Sequence, residues 1–306
     1  MTIKVFGHKS PDTDSTGSPV IWAWYLNECR GVPAEPRLLG EPNTEAQFML
    51  RHWNLDRPAL LEDVTADDEV VIVDTNNVAE LPASINEAQI IEIIDHHMLQ
   101  GGLKTKNPIN VTVRPVACTA TIMHDLMGTD AAKMPDEIKG AMLSCILSDT
   151  LAFRSPTTTD VDRELAESLA DDLGVRLQEY AAQMFSAKSD VSSYSNSELL
   201  RMDSKEYEVD GTKLRVSVLE TTSPATVLAR KNGLIEDMGG VAEEDGVDQV
   251  LFFLVDILNE EALFFIPNDV VKSIAEKSFG VTVKGDVAAL PGVVSRKKQI
   301  LPALKV

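Results

Sequence analysis

The sequence predicts an α/β protein, with a doubly wound parallel sheet in an N-terminal domain and a second, smaller mixed α/β domain. Three short runs, Ile3–Gly7, Glu69–Asp74 and Gln89–Asp95, are nearly continuously apolar and rich in β-branched residues. Such runs are typical of parallel strands that are buried on both faces. Helical patterns alternate with these runs, which favours a doubly wound sheet. A length of 306 residues is long for one core, so two domains are expected.

The helices of the N-terminal half are predicted from apolar spacing and from end signals. The first has Val20, Trp24 and Cys29 among its apolar positions. A helix over Thr44–Trp53 is predicted because Thr44 and Gln47 match a capping box. Later helices are predicted at Pro135–Asp149, Asp160–Leu173 and Leu177–Phe185.

A polar, serine-rich stretch at residues 188–197 (KSDVSSYSNS) has no periodicity and predicts a linker. The expected division is therefore a first domain at 1–188, a linker at 189–196 and a second domain at 197–306. The second domain is predicted to hold a strand at Leu214–Leu219, a helix after Pro224, a hairpin of Gln249–Leu258 with Ala262–Ile266, and a helix at Asp269–Phe279.

Composition and charge exclude several classes of protein. Hydrophobic residues make up 44% and charged residues 25%, as in ordinary globular proteins. No apolar run approaches the roughly 18 residues of a membrane span. The N-terminal MTIKVFGHK lacks the apolar segment of a signal peptide, so a cytoplasmic location is expected. A formal charge of −20 argues against sequence-independent binding of nucleic acid.

Two local features complete this description. Val270–Val306 carries seven Lys/Arg against two Asp/Glu, so positive charge is concentrated near the C-terminus. The three cysteines, Cys29, Cys118 and Cys145, form no C-x-x-C pair. They therefore predict neither a disulfide framework nor a zinc ribbon, and we expect buried, reduced thiols.

Acidic and imidazole side chains follow the ends of the predicted strands. They are His8, Asp12 and Asp14 after the first run, Asp74 at the end of the second, and Asp95, His96 and His97 at the end of the third. In open α/β sheets the ligand crevice lies outside the carboxyl ends of the strands, so these residues should converge there. Asp149 is expected in the last turn of a helix, where a bound cation would offset the unfavourable helix dipole.

About two histidines and four aspartates suit transition ions such as Mn²⁺ or Co²⁺ better than Mg²⁺ or Ca²⁺ alone, and the absence of thiolates disfavours structural zinc. A carboxylate between strands is a natural bridge, so Asp74 could hold two ions roughly 3.5–4 Å apart. Singly, such an aspartate is most often a turn former or a helix cap. A lone histidine, as His52 or His124, is usually packed or at the surface. The joint pattern favours a metal centre.

Four motifs in this order, GHKSPDTDS, VIVDTNN, IIDHH and LSDTLAFRSPT, resemble the signatures of the DHH phosphoesterase superfamily. Within it, SRKKQ at Ser295–Gln299 and RMDSKEY around Lys205 resemble elements of the family II, manganese-dependent inorganic pyrophosphatases. The match spans nearly the whole chain, without an inserted regulatory module between Asp74 and Lys205. Ser10 stands where the family usually has Asn.

The resemblance implies a set of site residues and ligands. One metal would be held by His8, Asp12 and Asp74, and a second by Asp14, Asp74, His96 and Asp149. The substrate, pyrophosphate, would contact His97, Lys205, Arg296 and Lys297. The expected ions are two Mn²⁺ per site, with Co²⁺ or Mg²⁺ as alternatives and additional Mg²⁺ arriving with the substrate. The resemblance also implies a homodimer and no nucleic-acid or membrane partner.

The chemistry agrees with these roles. Two metals that share a water lower its pKa enough to supply hydroxide near neutral pH, and this hydroxide would attack one phosphorus in line. Lys205, Arg296 and Lys297 would neutralise the phosphate oxygens. Because the metal ligands precede the linker and the basic residues follow it, we expect the substrate between two domains that close on it. Asp95, Asn76 and Asn77 are candidates for orienting ligands.

Two alternatives remain open. A DHH exonuclease or nucleotide phosphatase would need basic or aromatic surfaces for bases and sugars, and commonly a Gly-rich histidine motif in the second domain. This chain has 5% aromatic residues and no histidine after His124. A non-catalytic metal- or nucleotide-sensing module should have lost ligands, whereas all six are present. Metal-dependent phosphate release from pyrophosphate would separate the three readings.

Overall fold

The computed structural model describes residues 2–306 and separates into two compact units, Met1–Lys188 and Ser189–Val306. The first unit contains a six-stranded sheet within the described residues, which confirms the predicted doubly wound fold. Its strands are β1 (Ile3–Phe6), β2 (Ala34–Leu38), β3 (Ala59–Leu60), β4 (Glu69–Val73), β5 (Gln89–Asp95) and β6 (Asn110–Val113).

All pairings in this sheet are parallel, in the order β3-β2-β1-β4-β5-β6. The direction in which the chain adds strands reverses between β1 and β4, so these two strands flank the switch point of the sheet. Helices lie between the strands and follow the last one: α1 (Thr13–Glu28), α2 (Thr44–His52), α3 (Thr119–Met127), α4 (Asp136–Asp149), α5 (Asp160–Leu173) and α6 (Leu177–Lys188). Short 3₁₀ turns occur at Val78–Glu80, Ile85–Glu87 and Gly128–Lys133.

Three local predictions need correction. The capping box assigned to Thr44 and Gln47 is wrong: Asn43 is the N-cap of α2 and accepts from the Ala46 N–H, while the Gln47 amide donates to the Pro42 carbonyl at 2.8 Å. Cys29 is only half-buried, whereas Cys118 and Cys145 are buried as expected.

The apolar positions chosen for α1 were also incomplete. Val20 and Trp24 are half-buried, and the fully packed apolar residues include Ile21 and Trp22. The first turns of α1 are buried although they are polar, because this end of the helix lies at the site described below.

The second unit contains a five-stranded mixed sheet within the described residues, in the order β11-β10-β9-β8-β7. The strands are β7 (Ser204–Val209), β8 (Thr212–Thr221), β9 (Gln249–Asp256), β10 (Glu261–Phe265) and β11 (Val287–Pro291). β8 and β9 are parallel and the other pairs antiparallel. The predicted hairpin of β9 and β10 is confirmed. β9 is apolar from Val250 to Val255 because its two faces enter separate cores, with Phe252 in one and Phe253 in the other.

The helices of this unit are α7 (Asn196–Arg201), α8 (Pro224–Leu228), α9 (Lys231–Asp245), α10 (Asp269–Phe279) and α11 (Leu301–Ala303). A π-helical turn at Arg296–Ile300 carries the basic motif. α7 is opened by a capping box of Ser195 and Glu198. Among the described residues, no helix is both long and apolar enough to cross a membrane.

Candidate metal centre

The carboxyl ends of β1, β4 and β5 bring the predicted ligands together at the switch point. His8 follows β1, Asp74 follows β4 directly, and His96 follows β5 directly. Asp12 and Asp14 stand at the start of α1, and Asp149 is the last residue of α4, as its helical spacing predicted. Parallel strands thus place residues that are distant in sequence at one edge of the sheet.

A first group consists of His8, Asp12 and Asp74, whose ligand atoms all lie within 4.8 Å of one another. His8 Nε2 is 3.8 Å from Asp12 Oδ2 and 3.5 Å from Asp74 Oδ2. Asp12 is also the N-cap of α1, and its Oδ1 accepts from the Ser15 N–H at 2.9 Å. The ordinary role of a cap and a role as ligand are therefore compatible, because they use different oxygens.

A second group consists of Asp14, His96 and Asp149, again within 4.8 Å of one another. His96 Nδ1 lies 3.2 Å from the Val116 carbonyl, which can only accept, so the neutral ring carries its proton on Nδ1. Nε2 is then a lone-pair acceptor, and it faces Asp74 Oδ1 at 3.3 Å. Two acceptors at this distance repel each other unless a cation or a proton lies between them.

Asp74 belongs to both sides of the centre. Its side chain is 2% exposed, and its backbone adopts φ 58°, in the left-handed region that aspartate tolerates better than most residues. Such strain is typical of functional sites. Oδ1 faces His96 and Oδ2 faces His8, so the carboxylate turns one oxygen toward each group.

The electrostatics of the buried carboxylates favour a cation. Asp74 Oδ2 and Asp149 Oδ2 are buried and have no hydrogen-bond partner among residues 2–306. Burial raises the pKa of Asp74 well above its usual value, and the charges of Asp14, Asp12 and Asp149 raise it further. Burial and the charges of Asp14 and Asp12 raise the pKa of Asp149. A divalent cation offsets both the desolvation and the repulsion, so the residues present fit the metal that the sequence motifs imply.

Neutral side-chain and backbone groups that the sequence analysis missed hold these aspartates in place. Asp14 accepts from the Ser18 hydroxyl at 2.6 Å and from the Thr119 N–H at 2.8 Å. The Thr119 hydroxyl lies 3.3 Å from Asp74 Oδ1. Ser18 is one helical turn after Asp14, which is a detectable signal. Thr119 is 105 residues from Asp14, so no sequence signal connects the two residues.

Asp95 organises the end of β5. Its fully buried carboxylate accepts from the N–H groups of His96 and His97 and from the Asn76 amide. It also lies 2.9 Å from His97 Nδ1, and this hydrogen bond raises the pKa of His97. The side chain of His97 is 53% exposed and lines a cavity of 490 Å³ together with His8, Lys9, Asn77 and Glu80.

The three predicted cations of the second unit lie on two neighbouring elements. Lys205 is on β7, and Arg296 and Lys297 are on the π-helical turn. Arg296 Nη2 is 2.8 Å from Asp203 Oδ1, and Nη1 donates to the Asp203 carbonyl. Because Asp203 is two residues before Lys205, it connects the two basic motifs, which sequence reasoning did not foresee. Lys205 and Lys297 are exposed and form no ion pair within the described part of the chain.

Comparison with known proteins adds independent evidence. Residues 2–148 match the DHH family, N-terminal domain, and residues 182–306 match the DHHA2 domain. A protein of Bacillus licheniformis, named "Probable manganese-dependent inorganic pyrophosphatase", is 35% identical over 99% of this chain and 97% of its own length. A protein of Shouchella clausii with the same name is 36% identical over 98% of this chain and 96% of its own length.

A solved structure from Methanococcus jannaschii, described as a "putative family II inorganic pyrophosphatase", is 33% identical, covers 99% of this chain and 98% of its own chain, and superposes with a TM-score of 0.62. Sequence identity above 30% over almost the full length of the relatives shows common descent. The chain belongs to the family II, manganese-dependent inorganic pyrophosphatases.

Proposed function

We propose that this protein hydrolyses inorganic pyrophosphate to two phosphates with two Mn²⁺ ions per site. The observation that carries the proposal is a pair of ligand groups with Asp74 between them, one oxygen facing His8 and the other facing His96, and with buried carboxylate oxygens that lack partners among residues 2–306. His8, Asp12 and Asp74 would hold one ion, and Asp14, Asp74, His96 and Asp149 the other. When bound, the ions supply Lewis acidity that acidifies water and polarises phosphoryl oxygens.

The chain's own residues would bind and orient the substrate. His97 is exposed beside the ligands, and its hydrogen bond to Asp95 favours the protonated ring, so its free Nε2–H can donate to a phosphate oxygen. Lys205 and Lys297 offer mobile point charges, while Arg296 adds a charge that Asp203 holds in a fixed position. The same proposal includes three points that follow from family resemblance. Co²⁺ or Mg²⁺ can replace Mn²⁺, additional Mg²⁺ binds with the substrate, and the protein forms a homodimer.

Chelation followed by metal add-back tests this proposal. We expect chelation to abolish phosphate release from pyrophosphate, and we expect Mn²⁺ or Co²⁺ to restore more activity than Mg²⁺ as the only added ion, because imidazole ligands favour the transition ions. The measurement is phosphate release at equal concentrations of each ion. Full activity of the chelated protein without any divalent ion would overturn the proposal.

A further inference from the structure

A completely buried carboxylate outside the proposed ligand set lies close to the metal centre. Glu45, in the first turn of α2, has an exposed fraction of 0%. Its Oε2 accepts from the Thr13 hydroxyl at 2.9 Å and from the Ser148 hydroxyl at 2.7 Å. The same oxygen is 3.3 Å from Lys188 Nζ. Three donors therefore meet at one carboxylate oxygen.

The two hydroxyl groups belong to residues that are adjacent to proposed ligands. Thr13 lies between Asp12 and Asp14 at the start of α1, and Ser148 directly precedes Asp149 at the end of α4. Glu45 thus connects the two helix ends that supply ligands to the second group. The Cys145 thiol, one helical turn before Asp149, strengthens the same junction with a contact of 3.4 Å to the Thr13 carbonyl.

Burial of this charge is costly, and packing of α2 alone does not require it. An ionised carboxylate loses hydration in the interior, and only good hydrogen bonds and an ion pair offset that loss. Glu45 Oε1 has no hydrogen-bond partner in the described part of the chain, so the compensation is incomplete. An apolar residue of similar size would fill the space without this cost. What the carboxylate adds is a fixed position for two hydroxyls on different helices.

We propose that Glu45 is a positioning residue for the metal centre, held by Lys188, and that it sets the separation of Asp14 and Asp149. This inference rests on the metal centre of the proposed function. Outer-shell partners that orient metal ligands typically change metal affinity by about 10- to 100-fold when they are substituted. Such partners contact a ligand directly, whereas Glu45 binds Thr13 and Ser148, which are the sequence neighbours of ligands. Its effect would therefore reach Asp14 and Asp149 through the backbone.

Calorimetric titration of the metal-stripped full chain with Mn²⁺ tests the assignment. Glu45→Gln keeps the size of the side chain, removes the charge that pairs with Lys188, and leaves a single accepting oxygen beside an N–H₂ group that cannot accept. We expect the affinity for one of the two Mn²⁺ ions to fall about tenfold or more. Glu92→Gln is the matched control, because Glu92 accepts from Trp22 Nε1 at 2.9 Å and neither residue is adjacent in sequence to a proposed ligand. Its Mn²⁺ isotherm should match wild type.

Ser148→Ala provides a second variant that keeps the buried charge and removes one hydrogen bond. It should weaken Mn²⁺ binding in the same direction, and it serves if Glu45→Gln does not fold. A purely structural role predicts a lower melting temperature of the metal-free variants with an unchanged Mn²⁺ isotherm, and that result would overturn the inference. If wild type bound two Mn²⁺ ions and both variants bound them equally well, the inference alone would fail. If wild type bound no Mn²⁺, the proposed function would fail with it.

Discussion

Substitution of Asp74 by Asn examines the carboxylate that faces both groups of ligands. Asp74 Oδ2 is 3.5 Å from His8 Nε2, and Oδ1 is 3.3 Å from His96 Nε2. If the two oxygens serve different ions, an amide weakens both ions, because it carries no charge and can turn only one oxygen toward one group. His8→Gln is the matched comparison, since it removes a ligand from one group and leaves the other intact.

The expected size of the effect follows from binding linkage. Each ion stabilises the folded state by about 4 kcal/mol when its free concentration is about 1,000 times the dissociation constant, or about 8 kcal/mol for two ions. Domains of about 150–250 residues gain about 2–4 °C in melting temperature per kcal/mol. The first unit, Met1–Lys188, is in this range, so Mn²⁺ should raise its melting temperature by about 16–32 °C. His8→Gln should retain about half of this gain, and Asp74→Asn little of it.

Differential scanning calorimetry of chelated and Mn²⁺-loaded proteins measures both effects. Metal-free Asp74→Asn should melt above metal-free wild type at neutral pH, because burial and the nearby aspartates make the Asp74 charge unfavourable in the folded state. Equal Mn²⁺-dependent gains in the two variants would refute the bridging role. A metal-free Asp74→Asn that is less stable than wild type would refute the electrostatic reasoning.

Three further predictions concern pH, the basic residues and the substrate. In the metal-free protein, Asp74 and Asp149 keep their protons to higher pH in the folded state than in the unfolded chain. The melting temperature should therefore fall as pH rises above about 4 through the raised pKa values. Saturating Mn²⁺ should abolish this trend, and a melting temperature that rises with pH would contradict the prediction. Arg296→Ala should lower kcat/KM for pyrophosphate about 10- to 100-fold and leave the Mn²⁺ isotherm unchanged. Lys298 is exposed, and Lys298→Ala should resemble wild type. Equal kinetics of the two variants would indicate that the basic motif is merely a solvated tail. Short single-stranded DNA and nucleoside monophosphates should be poor substrates beside pyrophosphate, and comparable kcat/KM on an oligonucleotide would favour a nuclease.

The fold was predictable where burial on both faces leaves a continuous apolar run. β1, β4 and β5 are three of the four inner strands of the first sheet, and all three were found from such runs. β2, with the sequence AEPRL, was missed because its middle residues are half-exposed and polar or Pro. β3 and β6 form the edges of the sheet; β3 has only two residues, and β6 alternates polar with apolar residues instead of forming an apolar run. Edge strands are defined by their neighbours more than by their own residues.

The candidate site was predictable to the extent that charge and imidazole stand out at strand and helix ends. The Thr119 N–H that binds Asp14 and the Ser148 hydroxyl that binds Glu45 carry no such signal. Thr119 and Ser148 read as ordinary helix residues, and only the fold places them beside Asp14 and Glu45. The burial of Glu45 could not be predicted, because a glutamate in the first turn of a helix is expected at the surface, where it interacts favourably with the helix dipole.

Several residues at or beside the site have backbone conformations that are energetically unfavourable for residues other than glycine. Asp74 adopts a left-handed conformation, and Leu151, Ala152 and Phe153, just after Asp149, do so in succession at φ 48°, 49° and 72°. Non-glycine residues in this region are each destabilised by roughly 1–2 kcal/mol. These costs add to the repulsion among the buried carboxylates, and in the metal-free protein only the surrounding hydrogen bonds and packing oppose them. A cation bound among these carboxylates would therefore stabilise the fold as well as supply chemistry, which is why metal affinity and the Mn²⁺-dependent gain in melting temperature should fall together when a ligand is substituted.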